Sequence, residues 1–392
     1  MAWIDELLTR NAQTAYLRHY GSPRTIEELP VVTYDDLAPW IDRIRDGEPD
    51  VLFAGRPVAY ERTSGSTGGA KLIPYSAEGL RDIQRAIEPW VAQLRAISGS
   101  VYFALSPATR APEFINGVPV GLPDSAYVGS FKSAVPASVA SITDVDEWRA
   151  ETVKHLAAAR DLEVISVWSP TFLLRLLEEH DFDWPDLKLI SCWASGTSKP
   201  YAAELAKRFP HARIEPKGLM STECVVTVPR GATGALACRS AGEAPAAPRL
   251  NPYAFFEFDD CEVIATTSSG LYRYRTGDLV DEQLEFIGRR GVVSDLVGEK
   301  LTEAFVSKCL EHVPGFRYLA PNHNGYVLHA EAEVDLEAVE TRLYENPQYA
   351  YARKLGQLAP LRLAHDSYER YVHAQLARGA RLGDIKPPVL TL

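Results

Sequence analysis

The sequence predicts an α/β protein. A large N-terminal domain is built on mostly parallel sheets plus a small distorted β-barrel, and a small α+β domain follows it. Three observations predict this. Short apolar runs alternate with helical periodicities through the first part of the chain. The alternation stops after Pro248, where strand-like runs follow one another directly. From about Val292 helices and strands alternate again, on a smaller scale.

Each element has its own signal. Residues 3–18 and 77–97 carry helical periodicity. The apolar runs "VYFALS" (101–106), "EVISVWS" (163–169) and "LKLISCWAS" (187–195) read as buried strands. Between them lie helical segments at 147–160, opened by acids, and at 171–180, opened by a Ser-Pro turn. Strand, helix, strand, helix implies a largely parallel sheet, and ligands of such sheets bind in the loops at the carboxyl ends of the strands. The stretch "YAFFEFDDCEVIATTSSGLYRYRTGDLVDEQLEFIG" holds three or four strand-like runs without a helix, which reads as an antiparallel meander or a small distorted barrel. Further on, helices are expected at 302–312, 335–345 and 366–379, and strands at 317–320, 325–332 and 359–364. About 100 residues suffice for a compact domain.

The 392 residues argue for two or three domains. A net charge of −11, with no basic run, speaks against a nucleic-acid partner. The N-terminus is amphipathic, carries acids early and lacks the basic and apolar regions of a signal peptide. No apolar stretch approaches the ~18 residues of a membrane span. A cytoplasmic protein without a membrane partner is expected. The five cysteines, Cys192, Cys224, Cys238, Cys261 and Cys309, are odd in number, widely spaced and free of CxxC pairing. They form neither a disulfide framework nor a zinc site and are expected to be reduced, mostly core-like thiols.

The run "RTSGSTGGAKLIPYS" (62–76) has the look of a loop that wraps a phosphate. It fails the P-loop pattern: counting from Gly65, the second glycine position holds Ala70, and Leu72 follows Lys71. The physics survives the failed match. Glycines let backbone N–H groups converge on an anion, and the hydroxyls of Thr63, Ser64, Ser66 and Thr67 and the Lys71 ammonium add donors. Taken alone, the run reads equally well as a flexible turn between strands.

Four further stretches follow in order: "KGLMSTEC" (217–224), "YRYRTGDLV" (272–280), "FIGRRGVVSDLVGEKLTE" (286–303) and "DIKPPVL" (384–390). With the hydroxyl-rich loop, the set resembles the adenylate-forming superfamily of acyl-CoA synthetases, nonribosomal adenylation domains and luciferases. Within it, the chain most resembles the auxin-responsive acyl-acid amido synthetases (the Gretchen Hagen family) and their shorter bacterial relatives. "SGSTGGAKLIPYS", "FPHARIEPKGLMSTECVVTVP", "FFEF" at 255–258, "NPQYAYARKLGQLAPLRL" and the closing "IKPP" carry the resemblance, which spans roughly residues 50 to 390.

The resemblance implies ATP and Mg²⁺. Thr63, Ser64, Gly65, Ser66, Thr67, Gly68, Gly69 and Lys71 would hold the β- and γ-phosphates. Glu223 would be the magnesium ligand, since a hard cation wants carboxylate oxygen, with Thr222 on the α-phosphate and Ser221 beside them on the nucleotide. Asp278 would accept from both ribose hydroxyls, although alone it reads as an Asp in a Gly-Asp turn. Arg289, after Gly288, would reach the ribose or phosphate and end the large domain. The resemblance thus divides the chain into an ATP- and acyl-binding domain, 1–289, and a small mobile domain, 290–392. The usual hinge residue is Asp or Lys; here it is Gly291, a departure whose conformational freedom fits a swivel. "VGEKLTE" (297–303) resembles the loop that enters the site after rotation, with Gly298 allowing close approach and no role fixed for Glu299 or Lys300. Lys386 would neutralise charge as the carboxylate attacks the α-phosphate; otherwise it is an exposed tail lysine. Trp168, Trp193 and Phe114 are candidates to line an acyl slot, though aromatics near strands are more often core. His155, His180 and His211 read as structural.

The implied chemistry follows from a weakness of carboxylates, whose anion resists attack. Transfer to AMP gives a mixed anhydride, from which a second nucleophile takes the acyl group. The resemblance implies a small carboxylic acid, an amine acceptor such as an amino acid, and an amide product. The alternative acceptor is a thiol of CoA or a carrier protein. A non-catalytic nucleotide-binding regulator would have lost Glu223, Lys71 or Asp278, and none is lost. The chain is much shorter than typical plant members, so their hormone substrates are not carried over.

Overall fold

The computed structural model describes residues 2–63, 71–95, 97–104, 113–122, 125–128, 132–177, 180–229, 248–294, 296–297, 299–354, 356–378, 380 and 385–391. At its centre, strands Ser100–Phe103, Leu162–Ser166, Leu189–Cys192 and Arg213–Pro216 form a wholly parallel sheet in that order. Val164, Ile165, Leu189 and Ile190 are fully buried, as strands covered on both faces require. Leu156, Leu173 and Leu205, from the crossover helices Val145–Ala158, Pro170–Leu176 and Lys199–Arg208, pack on one face. Trp90 and Val91 of helix Ala77–Arg95 pack on the other. All four strands run the same way, so their carboxyl ends share one edge, at residues 103, 166, 192 and 216.

A second, mixed sheet holds the candidate phosphate loop. Strands Ala59–Arg62 and Leu72–Tyr75 pair antiparallel from Ala59↔Tyr75 to Arg62↔Leu72, so residues 63–71 join them at one end. Strand Val118–Val120 runs parallel to the first of these and carries Glu113–Ile115 beyond it.

The helical periodicity over 3–18 resolves into two helices, Ala2–Asn11 and Ala15–His19. The break has a cause. The Asn11 side chain donates to the Tyr272 hydroxyl at 2.8 Å and accepts from Ala54 N at 3.0 Å, and Thr14 caps the second helix. Leu7, Leu17, Leu37 and Ile41 then pack with Tyr60, Ile73, Tyr272 and Tyr274. The first 50 residues, which carry no motif, therefore build the wall behind the hairpin.

After Pro248, strands Phe255–Asp259, Glu262–Thr266, Tyr274–Val280 and Phe286–Arg289 form an antiparallel meander in sequence order, open over the described strands. Its last pairing sets Asp278 opposite Arg289.

Residues 292–390 supply a further hydrophobic cluster, including Val306, Leu319, Leu328, Leu343 and Tyr349. Its sheet comprises Arg317–Asn322, Gly325–Ala330 and Arg362–His365, with helices Glu303–Cys309, Leu336–Leu343, Pro347–Lys354 and Tyr368–Ala377. The final segment rejoins this sheet. Leu319 N donates to Val389 O at 2.8 Å, Thr391 N donates to Leu319 O at 2.9 Å, and Val389 and Leu390 enter the cluster. Among the described residues no helix is long and apolar enough to cross a membrane.

Candidate functional site

Two hydrogen bonds close the neck of the hydroxyl-rich loop. Thr63 N donates to Lys71 O at 2.9 Å, and Lys71 N donates to Thr63 Oγ1 at 3.0 Å. Ser64, Gly65, Ser66, Thr67, Gly68 and Gly69 lie outside the described residues. Lys71 Nζ donates to the Tyr274 hydroxyl at 3.3 Å and sits 5.4 Å from the centroid of the Tyr34 ring.

The parallel sheet delivers the next group. Lys217 N donates to Cys192 O at 3.1 Å, continuing the register of strand Arg213–Pro216 by one residue. The chain then turns at Gly218, whose φ is +80°. A Cβ there would lie 2.4 Å from Thr227 O, so only glycine fits. The turn leads to Met220, which pairs with Val225 and presents 221–224 as a tight tip. Ser221 shapes that tip: its N–H and hydroxyl both donate to Cys224 O, at 2.9 and 3.2 Å. The Tyr75 hydroxyl fixes Thr222 by donating to its carbonyl at 2.7 Å. Glu223 is half-buried between these anchors. Its charge is felt by the neighbours: burial and then Glu223 push the Tyr274 phenol up, and burial followed by Glu61 and Glu223 does the same to Tyr75.

Asp278, only 1% exposed, lies on strand Tyr274–Val280 and not in a turn. Arg289 Nε donates to its Oδ1 at 3.0 Å, and the Arg289 side chain stays 36% exposed. Asp278 first, with Glu223 and Glu303 adding, holds the guanidinium above its ordinary range against the opposing effect of burial. Glu303, at the start of helix Glu303–Cys309, lies close enough to Arg289 for each charge to act on the other. Burial pushes its carboxyl up, opposed by Arg289 and by Lys386, with Asp278 reinforcing the rise. Lys386 arrives from the far end of the chain, its Nζ 4.3 Å from the centroid of the Trp193 ring. Trp193 in turn packs on Trp168, with 6.0 Å between centroids.

The structure thus gives Lys71, Glu223 and Asp278 a common neighbour in Tyr274, which Lys71 reaches by hydrogen bond and the two acids by charge, while Asp278, Arg289 and Lys386 all act by charge on Glu303. Thr63 stands at the loop neck, Thr222 engages through its carbonyl, and Ser221 serves the turn. Lys386 is exposed, with its ammonium over the Trp193 ring. Phe114 is corrected: it is 63% exposed on Glu113–Ile115, in the mixed sheet, and walls no slot beside the tryptophans. Glu299 is 1% exposed and turns inward, accepting from Leu296 N at 2.8 Å, Val297 N at 2.9 Å and the Tyr326 hydroxyl; it braces a turn. Lys300 is exposed, and Gly298 lies outside the described residues. Gly291 has φ +91° with open space where a Cβ would stand, so its backbone conformation alone favours glycine. His155 lies 4.0 Å from Glu151 one turn away, His180 packs on Phe182, and His211 Nε2 meets Trp184 O at 3.2 Å.

Among the described residues no group of three or more His, Cys, Asp and Glu is gathered as a metal cage. Magnesium held by one carboxylate, phosphate oxygens and waters needs none, and Glu223 offers the hard oxygen such an ion takes.

Sequence reasoning missed Tyr274, Glu303 and, above all, Lys217. That lysine is 3% exposed, and Nζ donates to Ser166 Oγ at 2.7 Å. A lysine directly after a parallel strand is the signal that could have found it. Strand Arg213–Pro216, with an arginine and a glutamate among its four residues, hid that context.

Comparison with known proteins follows the same lines. Residues 2–182 match the GH3 family N-terminal domain. The indole-3-acetic acid-amido synthetase GH3.15 of Arabidopsis thaliana is 42% identical over 84 residues, 20% of this chain and 14% of its own length. The 4-substituted benzoates-glutamate ligase GH3.12 of the same plant is 28% identical over 160 residues, 37% of this chain and 27% of its own. These alignments span less than a third of either relative. Among solved structures, a GH3.15 acyl acid amido synthetase superposes over 100% of this chain and 91% of its own, with a TM-score of 0.80 at 19% identity.

Proposed function

From the premise that the chain carries a GH3 family N-terminal domain within the fold of an acyl acid amido synthetase, we propose that it uses ATP to activate a small carboxylic acid as acyl-AMP. It then passes the acyl group to an amine, an amino acid or a related molecule, to make an amide. The relatives' names point the same way: one conjugates indole-3-acetic acid, and the other joins benzoates to glutamate. The observation that carries the reading is convergence. Lys71, Glu223, the Asp278–Arg289 pair and Lys386 come from distant segments, yet the first two and Asp278 share Tyr274 as a neighbour and the last three act by charge on Glu303.

Each group then has a task. Lys71 and the loop it closes face the β- and γ-phosphates. Arg289 holds one oxygen of Asp278 and leaves the other to accept from the ribose hydroxyls. Lys386 offsets negative charge as the carboxylate oxygen approaches the α-phosphorus, an electrostatic contribution of a preplaced ammonium. Glu223 would hold Mg²⁺, which supplies charge neutralisation on the phosphates. Residues 1–289 bind ATP and acid, and residues 290–392 turn about Gly291 before the second half-reaction. The site of action is the cytoplasm, where ATP and reduced thiols such as buried Cys192, Cys224 and Cys309 coexist.

Acid-dependent ATP–pyrophosphate exchange over a panel of carboxylic acids tests this. Exchange without an acceptor, and a hydroxamate on adding hydroxylamine, are expected, with an amide formed once amino acids are supplied. ADP and phosphate as products would replace the reading with an acyl-phosphate ligase, and a thioester in place of an amide would move the acceptor to a thiol. No exchange with any acid would overturn it.

A further inference from the structure

We propose that Tyr34 and Tyr274 are positioning residues for the phosphate lysine: their two rings and the Tyr274 hydroxyl hold the Lys71 ammonium in place before ATP arrives. The inference rests on the ATP-dependent reading above and deepens it, since it names what steadies the cation that meets the phosphates.

The first observation is the seat itself. Lys71 Nζ lies 5.4 Å from the centroid of the Tyr34 ring and 5.9 Å from that of Tyr274, and it donates to the Tyr274 hydroxyl at 3.3 Å. Ring faces attract an ammonium at that range. An ammonium has three N–H donors, so the one given to Tyr274 leaves two for phosphate oxygens.

The second observation is that Tyr34 also fixes the backbone beside this lysine. Leu72–Tyr75 is the outermost of the described strands in its sheet. At the base of the loop the Tyr34 hydroxyl stands where a further strand would pair: it accepts from Leu72 N at 3.0 Å and donates to Leu72 O at 3.4 Å. The residue directly after Lys71 is thereby pinned by the same side chain whose ring faces the Lys71 ammonium.

The third observation ties the two rings to each other. Val32 N donates to Arg273 O at 3.0 Å and Arg275 N donates to Val32 O at 2.8 Å, so Val32 bridges the strand on both sides of Tyr274. Thr33 follows as a helix cap, its N–H donating to Asp36 Oδ2 at 2.8 Å, and Tyr34 opens helix Tyr34–Arg45. Bridge and cap together set Tyr34 beside the fully buried Tyr274. A lysine seated on such a frame has less rotamer freedom left to lose when a phosphate binds.

The test is a double-mutant cycle on the full chain, read by calorimetric titration of ATP with Mg²⁺ and by pyrophosphate exchange. Tyr274→Phe keeps a ring and removes the acceptor, Tyr34→Leu removes ring and hydroxyl, and Tyr34→Phe restores the ring. ATP affinity is expected to fall roughly three- to tenfold in Tyr274→Phe, about tenfold in Tyr34→Leu and only about threefold in Tyr34→Phe. The KM for ATP should rise by like factors, while the KM for the acid stays within about twofold. In a Lys71→Met background the Tyr274→Phe loss, and the gap between Tyr34→Leu and Tyr34→Phe, should shrink to within about twofold, because residues that act through Lys71 then have nothing to act on. Tyr274→Phe carries the cycle if Tyr34→Leu does not fold. Losses of the same size with and without the Lys71 ammonium, an acid KM that moves with the ATP constant, or unchanged ATP affinity in Tyr274→Phe would overturn the proposal, as would a wild type that binds no ATP. The expected cycle without acid-dependent exchange would instead leave the two tyrosines in place and remove the adenylation reading.

Discussion

Two lysines flank the Trp168–Trp193 pair, and they are placed in opposite ways. Lys217 belongs to the parallel sheet: its backbone extends the register, its ammonium is tied to Ser166, and the rings around it come from strand ends and a covering helix. Lys386 comes from the final segment of the chain. It rests on Trp193 because the segment after it, Val389 and Leu390, is packed into the hydrophobic cluster of residues 292–390. One cation is mounted on the parallel sheet, and the other stands beside a segment packed into the cluster of residues 292–390. A group that keeps one place throughout a reaction benefits from a rigid mount. A group needed in only one half of a two-step reaction benefits from one that can leave.

The largest test of that contrast lies where the two regions meet. Glu223→Ala should lower pyrophosphate exchange at least a thousandfold, and Lys386→Ala about a hundred- to a thousandfold, the scale of losing one preplaced electrostatic group. Lys386→Ala should leave ATP binding, measured by calorimetry, nearly intact; full exchange in either variant removes that residue's role. Next comes the mount of Lys386. Leu390 is 4% exposed, and Leu390→Ala should cost about 2–5 kcal/mol of stability in denaturant melts. It should also slow exchange although it touches no substrate. A destabilised variant with normal exchange would show that the tail does not position Lys386.

Glu303 stands between the regions and sharpens the comparison through pH. Burial pushes its folded-state carboxyl above the ordinary value, so the folded chain binds a proton that the unfolded chain has already released. Stability from this group is fully present below the ordinary carboxylate value and is lost as pH rises through the raised one. Glu303→Gln removes that loss. The melting-temperature difference, variant minus wild type, should therefore be more positive at pH 7 than at pH 4; a flat or reversed difference contradicts the burial account. The smallest effect is a labelling rate. Burial pushes the Cys192 thiol up to about 12, with Lys217 opposing, whereas Cys261 is exposed on a hairpin turn. At pH 8 a thiol reagent should modify Cys261 at once and Cys192 only on unfolding. Fast native labelling of Cys192 in a Cys238→Ser, Cys261→Ser background would show that the sheet edge bearing Lys217 opens.

The sequence disclosed those parts of the proposed site whose chemistry lies in a few adjacent letters. The loop ending at Lys71, the Thr222–Glu223 tip, Asp278 with Arg289, and Lys386 were all legible as motifs, and the strand-helix alternation revealed the sheet whose edge collects them. What stayed hidden depends on distance along the chain. The Asn11 tie that breaks the first helix reaches Tyr272, 261 residues away. The Lys217 cage draws on residues 90, 103, 166 and 168. Its strand hides because Arg213 and Glu215 neutralise each other at 2.8 Å, which lets charged letters stand on this outermost strand of the sheet. Glu303 reads as an ordinary acid in the first turn of a helix, behind the capping Thr302. Phe114 misleads in the other direction, since nothing local distinguishes an aromatic on an outer strand from one in a pocket.

The returning segment at Leu319 has a consequence apart from chemistry. Strand Arg317–Asn322 is outermost in its sheet, and residues 389–391 occupy part of its otherwise open backbone. Without them, bare N–H and C=O groups would invite strand addition from another molecule. The stretch that steadies Lys386 therefore also acts as a guard against aggregation, and losing it would show in light scattering before it showed in any assay of turnover.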